Sequence, residues 1–211
     1  MPRRRAIVFD LDGTLVDSLP DIVGAFRDAF DACGLPAPPE AEVRGRVGLP
    51  LEEMYAAFAP RASVPRLAAA YRELYPTRYT RSSRPFPGVG DVLARLRGRG
   101  FALAVATTKR SDMARRFVAA MGLQDALDVV QGTDGFPHKP APDVVLRALA
   151  ALDADGAWMV GDTVHDIEAG RAAGLSTYAV TWGTHDAAML ATARPDRLEA
   201  NLDALLEAVA G

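Results

Sequence analysis

Apolar positions along this chain follow two rhythms. Five short, mainly apolar runs, Ala6–Phe9, Phe101–Ala106, Leu127–Val130, Ala157–Val160 and Thr177–Val180, have the length and character of buried strands. From the second run onward they alternate with stretches whose apolar residues recur every three or four positions: Val89–Arg97, Asp112–Met121, Ala141–Leu152 and Asp166–Ala173. That spacing is one buried stripe on a helix. The alternation predicts an α/β fold, a Rossmann-like, mostly parallel sheet with helices on both faces.

Between the first and second runs the rhythm changes. Residues 18–82 contain no clear strand. Leu19–Cys33 places Ile22, Phe26, Ala29, Phe30 and Cys33 at helical spacing, and Gly34 with Pro36, Pro38 and Pro39 ends the pattern. Two further helical stretches follow, near Leu51–Phe58 and Val64–Tyr75. About 65 residues is too long for a loop. The expectation is a helical cap domain, 18–82, inserted after the first strand of a core formed by 1–17 and 83–211.

Composition narrows the class. Residues are 49% apolar and 24% charged, with a net charge of −3. This is an ordinary globular balance with no global attraction to nucleic acid. Cys33 is the sole cysteine, so neither an intrachain disulfide nor a CxxC zinc pattern arises. The start, Met1-Pro2-Arg3-Arg4-Arg5, is basic, but the apolar run behind it ends after four residues at Asp10, too short for a secretory signal. No stretch approaches the ~18 apolar residues of a membrane span. A cytoplasmic monomer or homodimer without nucleic-acid or membrane partners is expected. Among 24 basic residues only Lys109 and Lys139 are lysines. A compact ammonium in a chain that otherwise uses the broad arginine fork points to two special positions.

Candidate chemistry gathers where the strands end. The first run leads into Asp10-Leu11-Asp12-Gly13-Thr14-Leu15-Val16-Asp17-Ser18. Carboxylates two residues apart at a strand end point the same way, and Gly13 permits a sharp exit turn. The second run ends at Thr107-Thr108-Lys109, Lys139-Pro140 follows the third, and the fourth ends at Gly161-Asp162-Thr163-Val164-His165-Asp166. Open α/β sheets bind ligands beyond the C-terminal strand ends. These residue types suit phosphoryl transfer. A phosphomonoester repels a carboxylate nucleophile, so Mg2+ and a lysine must offset the charge. Magnesium takes oxygen ligands, which Asp10, Asp162 and a nearby backbone carbonyl can supply. Thr107 and Lys139 suit the phosphoryl oxygens. Asp10 fits the nucleophile, leaving Asp12 to protonate the leaving oxygen and later activate water.

These four clusters, in this order, resemble the motifs of the haloacid dehalogenase superfamily, and a helical insertion after the first motif is similar to its first cap class. The resemblance implies Asp10 as nucleophile and Asp12 as general acid/base. It also implies that Asp12 binds magnesium through its main-chain carbonyl, beside Asp10 and Asp162. Thr107 and Lys139 would be phosphate ligands, and Asp166 would orient Lys139 or a metal-bound water. Asp12 argues against a true dehalogenase, which needs no leaving-group acid. Val47-Gly48-Leu49-Pro50-Leu51, Phe86-Pro87-Gly88-Val89 and Thr181-Trp182-Gly183 resemble the phosphoglycolate phosphatase-like branch. Thr108 departs from it, standing where asparagine is frequent, which touches contacts to the leaving group.

The expected activity is therefore hydrolysis of a small phosphorylated metabolite, phosphoglycolate-like, through an aspartyl-phosphate. A β-phosphoglucomutase-type phosphomutase, an inorganic pyrophosphatase and a binding module on a dead hydrolase fold are the competing readings. Every catalytic position is filled, which speaks against the last. The Gly48-Leu49-Pro50 turn is expected to face the core, with Arg46 as a substrate ligand. His138, His165 and His185 lack metal-ligand spacing and read as supporting or surface residues. Trp182 reads as packing. No P-loop, HExxH or GxSxG occurs.

Overall fold

A computed structural model describes residues 3–209. Residues 1, 2, 210 and 211, the ends of the expected core and of the basic start, lie outside the described residues. The central strand β1 (Arg5–Phe9) alternates strictly: Ile7 and Phe9 enter one hydrophobic cluster while Val8 enters another across the sheet. β4 (Ala102–Ala106) repeats this, with Leu103 and Val105 on the first face and Ala104 and Ala106 on the second. Strands buried on both sides have no polar face to show, which is why they read as unbroken apolar runs.

β5 (Val129–Gln131), β6 (Asp155–Gly161), β7 (Ser176–Val180) and β8 (Arg197–Glu199) complete a six-stranded sheet in the order β5-β4-β1-β6-β7-β8. All five pairings are parallel. α5 (Val89–Gly98), α6 (Ser111–Ala120) and α10 (Asp203–Ala208) pack on the first face through Val92, Leu93, Leu96, Phe117, Leu205 and Leu206. α7 (Asp143–Leu152) and α8 (Val164–Ala172) cover the other through Val144, Val145, Ala148 and Ala169. Strand order reverses beside β1, so the loops after β1 and β6 diverge and leave a crevice there. β8 was not expected: Arg-Leu-Glu is three residues with no apolar run, as suits an edge strand protected by charge. α9 (Ala187–Thr192) was likewise not foreseen.

The chain leaves the core through β2 (Val16–Asp17) and returns through β3 (Arg84–Pro85), which pair antiparallel as a short ribbon. Between them lie α1 (Leu19–Ala32), α2 (Glu40–Arg44), α3 (Leu51–Ala56) and α4 (Val64–Leu74). They enclose a hydrophobic cluster of their own, built on Phe26, Phe30, Tyr55, Leu67 and Tyr75, with Phe26 and Tyr55 stacked at 4.0 Å. α2 was not anticipated, being five residues with one buried apolar side chain. Buried Asp21 fastens the outgoing and returning chains: its Oδ2 accepts from the Ser82 and Ser83 amides at 2.9 and 2.8 Å and from the Ser83 hydroxyl at 2.8 Å. Among the described residues no helix is long and apolar enough to cross a membrane.

Candidate active site

Two neighbouring strands deliver the acids. The Asp10 amide, just past β1, still donates to Val160 O of β6 at 2.8 Å. Asp10 therefore stands beside Asp162, which follows the last residue of β6. Gly13 then turns the chain at φ +90°, and its amide donates to Val16 O at 2.9 Å. An L side chain there would be strained and would also strike Asp162, since a Cβ would lie 2.3 Å from its Oδ2. At Gly183 a Cβ would lie 2.2 Å from the same oxygen. The two glycines let main chain close around one carboxylate.

Lys139 joins the acids. Lys139 is 4% exposed, and its ammonium donates to Asp10 Oδ1 and Asp166 Oδ1 and reaches Ala106 O at 3.1 Å. Burial works against that charge, but Asp10 and Asp166 outweigh it and hold the pKa above the ordinary lysine value. Asp166 is fixed by the start of α8: Thr163 caps the helix, and Asp166 Oδ2 accepts from the Thr163 amide at 2.9 Å and hydroxyl at 2.7 Å. Asp162 Oδ1 accepts from Thr14 Oγ1 at 2.8 Å, and its Oδ2 accepts from the Thr184 amide at 2.7 Å.

Carboxylate oxygens of Asp10, Asp162 and Asp166 lie within 4.8 Å of one another. Burial, then the nearby carboxylates, overcomes Lys139 and pushes the Asp10 pKa well up. Burial and Asp166 raise that of Asp162 to about 6, against the hydrogen bonds from Thr184 and Thr14. The pocket thus carries more buried negative charge than its lysine offsets. An all-oxygen donor set with uncompensated charge fits a hard divalent cation such as Mg2+. The side-chain cluster holds both carboxylates expected at the metal, Asp10 and Asp162, and one more. It contains Asp166, while the Asp12 carboxylate is engaged elsewhere: Oδ1 accepts from Ser18 Oγ at 2.6 Å, and Oδ2 lies 3.0 Å from Lys109 Nζ.

A cavity of about 650 Å³ opens over these groups. Asp10, Asp12, Thr107, Thr108, Lys139 and Asp166 line its inner end; Asp162 lies behind it, fully buried. Thr107 Oγ1 accepts from the Lys109 amide at 3.2 Å, which leaves its own proton for a ligand. Helical-segment residues Ile22, Phe26, Val47–Pro50, Met54, Tyr71 and Tyr75 form much of the opposite wall. The Gly48-Leu49-Pro50 turn does face the core, with a Gly48 Cβ position 3.2 Å from Thr163 Cγ2. Arg46 does not follow it inward: it is exposed, does not line the cavity, and lies over the Phe58 ring at 5.2 Å. A guanidinium stacked on an aromatic face gains there without giving up its water.

His138 Nε2 lies 3.2 Å from Glu53 Oε1, bridging core and helical segment. His185 Nδ1 accepts from the Val164 amide at 3.1 Å, and its own amide donates to Asp162 O at 3.3 Å. Trp182 packs against Phe86 and donates to Thr14 O at 3.3 Å. Sequence reasoning assigned no role to Thr14, Ser18, Thr184, Tyr75 or Lys109. The lysine scarcity did mark Lys109, but nothing in its motif named its partner.

Residues 7–180 match the family model described as haloacid dehalogenase-like hydrolase. A probable phosphatase, IndB, of Dickeya dadantii is 40% identical over 90% of this chain and 86% of its own length. A phosphoglycolate phosphatase of Vibrio cholerae is 34% identical over 97% and 96%. Among solved structures, a haloacid dehalogenase-like hydrolase from Streptococcus pneumoniae superposes with a TM-score of 0.89 at 29% identity over 98% of both chains. The Mycobacterium tuberculosis protein tyrosine kinase PtkA gives 0.79 at 33% identity over 100% and 99%.

Proposed function

This chain belongs to the haloacid dehalogenase-like hydrolases and is a phosphatase of that family; on that premise we propose that it is magnesium-dependent and hydrolyses a small phosphorylated metabolite, of the phosphoglycolate kind, through an aspartyl-phosphate on Asp10. The observation that carries this reading is a division of labour between two carboxylates facing one cavity. Asp10 rests on buried Lys139 beside two more acids, and Asp12 is held apart by Ser18 and Lys109.

Asp10 and Asp162, with the main-chain carbonyl of Asp12, would hold the magnesium ion, and Asp166 would keep Lys139 in place. When bound, the ion offsets the negative charge of the carboxylates and of the phosphoryl oxygens. Lys139 and the free proton of Thr107 bind phosphoryl oxygens. The Asp10 carboxylate attacks phosphorus while the bond to the leaving oxygen breaks, and Asp12 gives that oxygen its proton. Asp12, now ionised, takes a proton from a water whose oxygen attacks phosphorus. The bond to Asp10 breaks, releasing inorganic phosphate and restoring both carboxyl groups. The helical wall over the cavity excludes bulk water and meets the leaving group. Thr108, which lines the cavity, contacts the leaving group as well; Arg46 lies over the Phe58 ring and does not line the cavity.

The test is phosphate release, with Mg2+, from a panel holding phosphoglycolate, glucose 1-phosphate, bulkier phosphomonoesters, phosphotyrosine and pyrophosphate. Asp12→Asn should additionally retain phosphate on the Asp10 peptide after exposure to p-nitrophenyl phosphate, read by mass spectrometry. Release from no phosphomonoester, or retained phosphate on any other residue, would overturn the proposal.

A further inference from the structure

Lys109 has no part in the steps above, yet it is one of two lysines in the chain. Lys139 sits on the nucleophile; Lys109 sits on the other carboxylate. Its Nζ lies 3.0 Å from Asp12 Oδ2 and donates to Tyr75 Oη at 3.2 Å. It stands 4.5 Å from the Tyr75 ring centroid and 5.2 Å from that of Phe117. The ammonium therefore meets three segments at once: the turn after β1, the helical segment just beyond α4, and α6. Its side chain is 11% exposed. Burial disfavours the charge, but Asp12 and Tyr71 restore it and the pKa stays above the ordinary lysine value. A compact ammonium can face two rings and a carboxylate from one point, whereas a planar guanidinium spreads its charge over a fork.

The other oxygen of Asp12 accepts from Ser18, the residue that opens the helical segment. Both oxygens of the proposed proton donor are thus held by groups tied to that segment, one directly and one through Lys109 to Tyr75. A carboxylate with a single remaining anchor is free to rotate about its side-chain torsions, and proton transfer needs it within hydrogen-bond reach of the leaving oxygen.

We propose that Lys109 is a positioning residue, which, anchored by Tyr75, holds the Asp12 carboxylate in the orientation from which it protonates the leaving group. This rests on the reading of Asp12 as general acid. Lys109 Nζ makes its contacts with Asp12 and Tyr75, so in the phosphorylation step its loss falls on leaving groups that need the proton more than on those that do not.

The experiment compares kcat/KM, which reports phosphorylation of Asp10 ahead of the hydrolysis step both substrates share, for p-nitrophenyl phosphate, a good leaving group, and for an unactivated alkyl phosphate. The proteins are wild type, Lys109→Met, Tyr75→Phe and Asp12→Asn, each checked by circular dichroism and thermal melting. Positioned acids contribute about 10²–10⁴-fold. Lys109→Met should lower kcat/KM for the alkyl phosphate by about 100-fold and for the nitrophenyl ester by less than about 5-fold. Tyr75→Phe keeps the ring and loses the hydroxyl. It should show the same split at about 5–10-fold, and it carries the test if Lys109→Met does not fold. Equal losses on both substrates in Lys109→Met and Tyr75→Phe, with a clear split in Asp12→Asn, overturn the positioning role alone. No split in Asp12→Asn overturns the acid assignment beneath it as well.

Discussion

Among the described residues no cationic side chain pairs with the buried Asp162 carboxylate, and Asp162→Asn measures what that costs. A rise from 3.8 to about 6, at about 1.4 kcal/mol per tenfold change in proton affinity, amounts to roughly 3 kcal/mol. The sign follows from linkage. The folded state holds this proton more tightly than the unfolded chain, so raising the pH costs stability. Below about pH 4 the carboxyl is protonated in both states and the penalty is absent; it grows between pH 4 and 6 and is complete above. Asparagine removes the charge at nearly constant shape. Its carbonyl oxygen keeps the Thr184 amide, and its amide donates to the Thr14 hydroxyl, which rotates to accept. In chelator at pH 8 the variant should therefore be more stable than wild type by up to about 3 kcal/mol. For a chain of this size that is roughly 6–12 °C in Tm. Near pH 4 the gain should vanish. Magnesium at about 100 times its Kd should stabilise wild type by about 2.7 kcal/mol and the variant hardly at all. Differential scanning calorimetry at the two pH values, with and without Mg2+, decides it. An Asp162→Asn advantage that is equal at pH 4 and pH 8, or absent at pH 8, would refute the reasoning.

Four further outcomes follow from the same geometry. Asp10→Asn should lose turnover below detection in a phosphate-release assay while its circular dichroism spectrum stays native; a tenth of wild-type rate would mean another nucleophile. Chelator should abolish activity and Mg2+ restore it, whereas Ca2+ should not, because calcium prefers more ligands and looser geometry; activity with Ca2+ above half that with Mg2+ counts against the assignment. Gly183→Ala would place a methyl 2.2 Å from Asp162 Oδ2, so it should cost about 1–3 kcal/mol and weaken Mg2+ binding by titration calorimetry. Leu49→Ala, in the cavity wall, should shift relative kcat/KM among phosphomonoesters, while Arg46→Ala should leave those ratios within about 2-fold and cost about 0.5–1 kcal/mol from its lost stacking.

Features carried by short segments were legible in the chain, and features that depend on distant segments meeting were not. The buried strands declare themselves because burial on both faces demands apolar side chains at every position, as in Ala102–Ala106. β8 was invisible because an edge strand of three residues makes no such demand. The β2–β3 ribbon went unread because two residues have no period. Its pairing of Asp17 with Arg84 depends on residues 67 positions apart in the chain. Arg46 stands two residues from a turn that faces the cavity, and only the local backbone decides that its side chain leaves toward Phe58 instead.

By itself the sequence determined which chemistry is present: two acids two residues apart at the end of a buried strand, a lone lysine before Pro140, and two more acids after another strand. Covalent spacing suffices for that, since a strand end aims i and i+2 alike. Only the tertiary structure decided the pairing. Parallel strand order sets β6 beside β1 and so brings Asp162 to Asp10. It also sends Lys139 to Asp10 and Asp166, and Lys109 to Asp12 and Tyr75. Two lysines in similar polar loops look alike in sequence. Which carboxylate each ammonium meets is fixed by long-range packing, because charge–charge attraction in a buried site acts through space and not along the chain.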